Sequence, residues 1–112
     1  MAKHILLAFT NPVEGKEAAF NHWYSTRHMK EVTEVPGFIS TQRFELAPTQ
    51  LYGMESQYRY LAVYEIETDD LEGTTEALRQ ARARMHISDT LDPNFGVWTF
   101  SAITEQLSVP AK

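Results

Sequence analysis

The sequence predicts an α+β fold in which a four-stranded antiparallel sheet carries two helices on one of its faces. Two observations predict it. Apolar residues recur with the periods of strands and of helices, and the resulting order of elements is β-α-β-β-α-β. The 112 residues contain no linker, internal repeat or low-complexity tract, so 1–112 is expected to be a single domain. This order folds most simply with both helices packed on the same side of the sheet.

The amino-terminal part of the chain contains the first strand and the first helix. Lys3–Thr10 is apolar and ends at Asn11-Pro12, as expected for a strand followed by a turn. Helical spacing then runs from Glu14 to Met29. Pro36-Gly37 forms the next turn, because proline fixes one backbone dihedral and glycine permits positive values of φ.

The second and third strands follow this turn. Alternation of the side chains begins at Phe38 and continues through Leu46, which predicts the second strand. Ala47–Ser56 contains a proline and a glycine and is expected to be a loop. Gln57–Glu67 is rich in tyrosine, leucine and valine and predicts the third strand.

The second helix and the last strand complete the domain. Thr68-Asp69-Asp70 offers side chains that cap a helix, and Leu71–Met85 has apolar residues at helical spacing. After a break at 92–94, Phe95–Leu107 predicts the fourth strand, and the tail from Ser108 either frays or crosses to a neighbouring subunit. Three arginines are expected on the outer face of the second helix: Arg79, Arg82 and Arg84.

Composition excludes several classes of protein. The net charge of -5 argues against a general nucleic-acid binder, which would show a basic stripe. No apolar run approaches the ~20 residues of a membrane span, and the first residues lack the pattern of a secretory signal. The absence of cysteine removes disulfides and thiolate chemistry. A cytoplasmic protein is therefore expected.

The strands predict a partner for the sheet. Two helices cover one face, and yet both faces of the first strand are apolar: Ile5, Leu7 and Phe9 alternate with Leu6 and Ala8. A bare apolar face of this size needs to be covered. We therefore expect a homodimer that packs through the sheets, with more extensive coverage by the helices as the alternative.

The first helix contains the strongest candidate for chemistry. Tyr24 and His28 are four residues apart and therefore neighbours on one helical face, with Phe20 and Trp23 as apolar walls. Because the reference pKa of histidine is near 6.5, small perturbations set it for proton transfer at neutral pH. His28 is thus a candidate general acid or base and Tyr24 its partner. The alternatives are a helix-end histidine, a core tyrosine and a tryptophan that only packs.

Other side chains are weaker candidates for a binding site. His4 is in phase with Leu6, so it faces either a pocket or the dimer seam. Arg43 suits a planar oxyanion, although a cross-strand salt bridge with Glu65 or Glu45 is the more ordinary explanation. Two further candidates complete the set: Tyr60, on the strand face expected to hold Tyr58 and Tyr64 as well, and His86, which either closes a cavity mouth or caps the second helix.

Known cofactor and metal signatures do not occur in the sequence. No histidines and carboxylates have a metal-binding spacing such as H-E-x-x-H, and there is no glycine-rich phosphate loop or dinucleotide fingerprint. Haem would need an axial ligand such as His28 or His86, but nothing specific supports it. The sequence therefore predicts no metal and no cofactor.

Several of these features together resemble a known family. They are the W-Y pair followed by a histidine on the first helix, the V-P-G-F turn, the Q-R-F start of the second strand and the tyrosine-rich third strand. The chain resembles EthD-like proteins of the dimeric α+β-barrel (ferredoxin-like) superfamily over nearly its whole length. This resemblance implies a dimer with a small, largely apolar cavity between helices and sheet in each subunit. Relatives include polyketide cyclases, isomerases, cofactor-free monooxygenases, decarboxylases and haem-degrading enzymes, so the fold does not determine the reaction.

The resulting hypothesis is a small cofactor-free enzyme that acts on an apolar aromatic, polyketide-like or lactone-like metabolite. His28 would move a proton in a cyclisation, dehydration, isomerisation or decarboxylation, and Tyr24, with Arg43 or His4, would stabilise an oxyanion. The alternatives are a dimeric protein that binds a hydrophobic metabolite without catalysis, and a cofactor-independent or haem-linked monooxygenase.

Overall fold

A four-stranded antiparallel sheet with two helices on one face forms the protein, in a computed structural model that describes residues 1–111. The strands lie in the order β2-β3-β1-β4, so the first and third strands are central. Their bounds are Lys3–Thr10 for β1, Phe38–Glu45 for β2, Tyr60–Glu67 for β3 and Gly96–Ser101 for β4. This is the ferredoxin-like arrangement that the sequence predicts.

The register of the sheet separates two faces with different surroundings. On β1, His4, Leu6, Ala8 and Thr10 are buried against the helices, while the residues between them point to the other side. Leu6 lies opposite Tyr64, and Ala8 lies opposite Ala62. The side chains of His4 and Leu6 are therefore in phase, as predicted.

The first helix covers residues 17–33 and is not a uniform α-helix. It is α-helical over Glu17–Trp23, π-helical over Tyr24–His28 and α-helical again over Met29–Thr33. It begins three residues later and ends four residues later than the predicted Glu14–Met29. Gly37 follows it with φ of +99°, which confirms the predicted turn.

The second helix spans Leu71–Arg84, and Asp70 caps it. The Asp70 carboxylate accepts a hydrogen bond from the backbone N–H of Gly73 at 2.9 Å, which satisfies one of the free donors of the first turn. Met85 has extended backbone angles, so the helix ends one residue before the predicted boundary.

Removal of this cap should lower stability. Because Asp70→Ala leaves the amide of Gly73 without its acceptor, we expect a loss of about 1 kcal/mol in the free energy of unfolding, measured by urea denaturation. Asp70→Asn is the matched control, since asparagine caps equally well. An alanine variant as stable as the wild type would contradict this role for the side chain.

The core lies between the helices and β1 and β3. Phe20 is completely buried and contacts the rings of Trp23, Tyr24 and Tyr60, with centroids 5.6–6.4 Å apart. Tyr64 is the other large side chain that is almost fully buried. The aromatic residues of the first helix are thus held rigidly against the sheet.

Three details of the strands differ from the sequence prediction. β3 begins at Tyr60, so the segment from Gln57 belongs to the preceding loop. Tyr58 does not share a face with Tyr60 and Tyr64: its ring contacts Phe9, on the face away from the helices. β4 ends at Ser101, because residues beyond Ala102 have no strand to pair with; the backbone from 102 to 111 forms no helix or strand and is exposed.

The sheet face away from the helices is apolar and exposed. Ile5, Phe44, Trp98 and Phe100 on this face are 38%, 46%, 52% and 54% exposed. Phe100 lies opposite Ile5, and Trp98 lies opposite Leu7. We call these four residues the outer apolar face.

Candidate functional site

A cavity of about 280 Å³ lies between the two helices and the sheet. Most of its wall is aliphatic or aromatic, and five residues with polar or charged side-chain groups interrupt it: Thr10, Tyr24, His28, Tyr64 and Arg82. The remaining lining residues are Leu6, Ala8, Val32, Leu78, Leu91, Phe95 and Val97. An apolar cavity with a few convergent polar groups is the usual form of a small-molecule site.

The π-helical turn determines which side chains reach this cavity. The backbone N–H of Met29 bonds to the carbonyl of Tyr24, five residues back. In a regular α-helix each step of four residues turns the side chain slightly further around the helix axis. A π turn has more residues per turn, so it cancels this extra rotation. Tyr24, His28 and Val32 therefore all face the cavity, and the residues between Tyr24 and His28 are exposed. Such π turns are frequent at functional sites.

His28 is buried among aromatic rings, with 4% of its surface exposed. Its imidazole stacks on Trp23 at 4.7 Å and meets Tyr24 edge-on at 4.9 Å. Within residues 1–111 its buried Nδ1 atom has no hydrogen-bond partner. Burial, with a smaller contribution from the Arg82 cation, lowers the pKa of His28 to about 4. The imidazole is therefore neutral at pH 7.

This low pKa predicts how stability depends on pH. Between the unfolded value near 6.5 and about 4, the unfolded chain binds a proton at His28 that the native protein does not. Acidification through that range should therefore lower the free energy of unfolding, by about 3 kcal/mol for this residue alone. Urea denaturation from pH 7.5 to pH 4 checks this, with His28→Gln as control for the carboxylates that titrate in the same range. Equal pH dependence in the two proteins would contradict the prediction.

Two phenols lie beside the imidazole. The hydroxyl of Tyr64 donates a long hydrogen bond of 3.4 Å to the hydroxyl of Tyr24. Burial raises the pKa of Tyr24, and its bond from Tyr64 and the cations of Arg43 and Arg82 oppose this only in part. Burial likewise raises the pKa of Tyr64. Both phenols therefore stay protonated at neutral pH. The proton of Tyr64 is donated to Tyr24, whereas the Tyr24 hydroxyl has no acceptor among residues 1–111 and is available as a donor.

Arg43 contacts Tyr24 but does not line the cavity. Its guanidinium lies 4.6 Å from the centre of the Tyr24 ring and donates to Ser25 at 2.8 Å and to Asn21 at 2.9 Å. The salt bridge with Glu65 or Glu45 considered from the sequence does not form. Arg59 pairs with Glu45 instead, at 3.8 Å. Arg43 thus supports the first helix and the Tyr24 ring from the sheet.

The other predicted site residues lie outside the cavity wall. His4 is buried at the far end of β1, where Nδ1 bonds to Ser101 at 2.8 Å. Tyr60 is hydrogen-bonded to Glu17, and Asn21 donates to its hydroxyl. His86 is exposed, and its backbone carbonyl accepts a bond from Trp23 Nε1 at 3.2 Å. The structure thus brings Tyr24 and His28 together, with Trp23 and Phe20 packed behind them.

Arg82 is the cavity residue that the sequence analysis placed incorrectly. It was expected on the outer face of the second helix, but it is half-buried and lines the cavity, with its guanidinium 5.6 Å from the centre of the Phe95 ring. The sequence spacing indicated the correct position, because Arg82 is four residues after the apolar Leu78 and so lies on the same helical face.

Neither a membrane-spanning helix nor a metal-binding cluster occurs within the described residues. No helix among residues 1–111 has both the length and the apolar character needed to span a membrane. In the same part of the chain, no cluster of three or more histidine or acidic side chains is arranged to hold a metal ion.

The protein is similar to known proteins in its three-dimensional structure. Neither a protein-family model nor a curated protein matches the sequence. An EthD-like protein from Ralstonia eutropha JMP134 is similar with a TM-score of 0.68 at 13% identity, over 95% of this chain and 96% of that chain. The haem degrader MhuD from Mycobacterium tuberculosis has a TM-score of 0.63 at 14% identity, over 92% and 98%.

A third structure extends the same similarity. An ethyl tert-butyl ether D (EthD) family protein from Bacillus halodurans C-125 has a TM-score of 0.52 at 13% identity, over 88% of this chain and 97% of that chain. At these identities, similarity of structure establishes the fold and not the reaction. The chain has the ferredoxin-like fold of the EthD family and of EthD-like proteins, as the sequence resemblance predicted.

Proposed function

We propose that this protein is a small enzyme that catalyses proton transfer on an apolar aromatic, polyketide-like or lactone-like metabolite. The observation that carries the proposal is the position of His28: a buried imidazole without a hydrogen-bond partner on Nδ1, at the wall of an apolar cavity that two protonated phenols also line. An unpartnered polar atom in the interior costs stability, and a substrate that bonds to the imidazole would offset this cost.

The imidazole and the phenol would have different roles in the reaction. A neutral imidazole of His28 accepts the proton from a carbon next to a substrate carbonyl, and the C–H electron pair moves into an enolate. The phenol of Tyr24, itself bonded by Tyr64, donates a hydrogen bond to the enolate oxygen. The imidazolium then returns the proton to another atom of the substrate. This sequence would serve isomerisation, cyclisation or dehydration.

The low pKa of His28 makes it a weak base in the empty protein, and the substrate would change this. An enolate that forms beside the imidazole is an opposite charge, which favours the protonated ring and raises its pKa. The apolar wall strengthens this attraction because it excludes water. The substrate should therefore be a carbon acid that is already activated, such as a 1,3-dicarbonyl compound or an unsaturated lactone.

Hydrogen–deuterium exchange tests this function without knowledge of the product. The protein is incubated in D₂O with a panel of 1,3-diketones, aryl ketones and butenolides, and incorporation of deuterium is followed by mass spectrometry. Exchange that the protein accelerates, and that depends on His28, supports the proposal. Absence of acceleration across the panel, with a folded protein, argues for the second candidate.

The second candidate function is binding of a hydrophobic metabolite without catalysis. The low pKa of His28 favours it, because a weak base is a poor proton acceptor for ordinary carbon acids. In this case the ligand remains intact, and replacement of His28 changes affinity and not rate. Mass spectrometry of the bound ligand after incubation separates the two functions.

A haem-linked reaction fits the cavity poorly. The MhuD structures are described with haem or manganese protoporphyrin bound in that protein's active site. A neutral His28 has the chemistry of an axial ligand. However, the ring is stacked on Trp23, and a cavity of about 280 Å³ is at the lower limit for drug-sized ligands, so a porphyrin does not fit.

We also propose that two copies associate through their sheets. The outer apolar face has the character of a surface that is covered in solution, with four large side chains between 38% and 54% exposed. Each copy would keep its own cavity on the opposite side of its sheet.

A further inference from the structure

The guanidinium of Arg82 lies at the wall of the cavity without a carboxylate partner among residues 1–111. Arg82 extends from the second helix into the lining, and no carboxylate lies within salt-bridge distance of it among residues 1–111. None of the residues that line the cavity is acidic. The ring of Phe95 lies 5.6 Å from the guanidinium.

The neighbouring arginine on the same helix behaves differently. Arg79 is exposed and pairs with Glu76 at 3.0 Å, one turn earlier. Such a pair is the ordinary arrangement for an exposed helical arginine, and its contribution to stability is small. Arg82 instead loses part of its hydration beside apolar side chains and gains no ion pair in return, which is unfavourable unless an anion arrives.

The cavity therefore contains positive charge, hydrogen-bond donors and apolar walls, but no negative charge. The phenol of Tyr24 and the guanidinium of Arg82 present donors, and the neutral imidazole is able to donate from one nitrogen. This set is complementary to a ligand with an apolar body and one anionic, planar group of acceptors. Guanidinium geometry matches a carboxylate with two parallel hydrogen bonds.

We infer that Arg82 anchors the carboxylate of a small apolar acid, so that the ligand of this cavity is an aryl- or alkyl-substituted monocarboxylate. This inference rests on the proposed function in that it concerns the same cavity, and it specifies the substrate class. The cavity volume of about 280 Å³ suits a single ring with a short side chain.

A bound carboxylate would also act on His28. The charged and titratable groups that face the imidazole are Arg82 from the second helix, Tyr24 from its own helix and Tyr64 from β3. The Arg82 cation contributes to the low pKa of His28, so a carboxylate that neutralises this cation should raise that pKa. The acid would thus bring the imidazole closer to the basicity that proton abstraction requires.

Matched acid and amide probes test the inference. 3-Phenylpropionate and 3-phenylpropanamide have the same shape and differ in charge, and their binding to the full chain is measured at pH 7 by isothermal titration calorimetry. We expect the acid to bind about 10- to 100-fold more tightly, because a hydrogen bond to a charged group contributes more than a neutral one. The Arg82→Gln variant should lose this preference and bind the two probes equally.

Three control measurements make the result decisive. Arg79→Gln, on the same helix outside the cavity, should keep the full preference for the acid. Arg82→Lys keeps the charge without the planar fork, so it should retain part of the preference. Addition of 3-phenylpropionate should move the NMR titration midpoint of His28 upward in the wild type and not in Arg82→Gln, which a merely structural arginine would not do.

The inference is overturned if the wild type binds acid and amide equally, if it binds neither, or if Arg82→Gln keeps the preference for the acid. These results are independent of the test of catalysis. If deuterium exchange depends on His28 but the protein shows no preference for carboxylates, only the inferred substrate class is refuted. If the protein prefers carboxylates but does not accelerate exchange, the proposed catalysis is refuted and the protein binds acids without converting them.

Discussion

Replacement of His28 by glutamine should lower the rate of deuterium exchange into the responsive carbon acid by about 10²-fold or more, the range of a positioned general base. Glutamine retains hydrogen-bonding groups and fills much of the same space, so the variant should fold. Its amide does not accept a proton at neutral pH, so the loss should appear in the rate. The measurement is the initial rate of deuterium incorporation by mass spectrometry, at equal concentrations of folded protein.

His22→Gln is the matched control for this experiment. His22 lies on the same helix but is exposed, and it does not line the cavity. Its replacement should leave the exchange rate unchanged. If His28→Gln exchanges deuterium as fast as the wild type, the base is another group or solvent, and the proposed mechanism fails.

Much of the fold was predictable from the sequence because local periodicity and turn chemistry agree. In β1 the two-residue alternation places Leu6 and Ala8 on one face, and the structure buries that face against the helices. Both faces of β1 are apolar, so the alternation alone left open which of them the helices cover. Pro36-Gly37 ends the first helical region, and Asp70 marks the start of the second helix with a side chain suited to its cap. These signals depend on a few neighbouring residues and need no tertiary information.

The ends of elements were less predictable because tertiary pairing determines them. β4 was expected to continue to Leu107. In the structure it stops at Ser101, the partner of His4 close to the start of β1. Tyr58 was expected on the face of Tyr60, but it precedes the strand and the two-residue period does not apply to it. A strand ends where its partner strand ends, and the periodicity of one strand does not predict the length of its partner.

The sequence predicted the pair of Tyr24 and His28 at the centre of the site, but not the position of Arg82 at its edge. Helical spacing placed Tyr24 beside His28, and the structure places both at the cavity. The π turn between them was not foreseen, because no residue type specifies it. Arg82 was assigned to solvent since arginine is usually exposed, although its spacing from Leu78 put it on the apolar face. Which carboxylates an arginine reaches depends on tertiary packing, as Arg43 also illustrates.

Substitution of Phe100 by glutamate should convert a dimer into a monomer. Phe100 is 54% exposed on the outer apolar face, opposite Ile5 of the neighbouring strand. In a symmetric dimer the change occurs twice, so each copy loses an apolar contact and places a carboxylate in the seam. If each copy contributes about 2 kcal/mol, as a typical hot-spot residue does, the dissociation constant rises roughly a thousandfold. Size-exclusion chromatography with light scattering at micromolar concentrations measures the mass directly.

Thr99→Glu is the control, because Thr99 lies on the same strand, is also exposed, and points to the face of the sheet that carries the helices. Both variants add one carboxylate to the same strand, and only Phe100→Glu places it on the outer apolar face. The control should therefore remain a dimer. A wild-type protein that is monomeric at these concentrations, or a Phe100→Glu variant that stays dimeric, would show that this face is not the surface through which two copies associate.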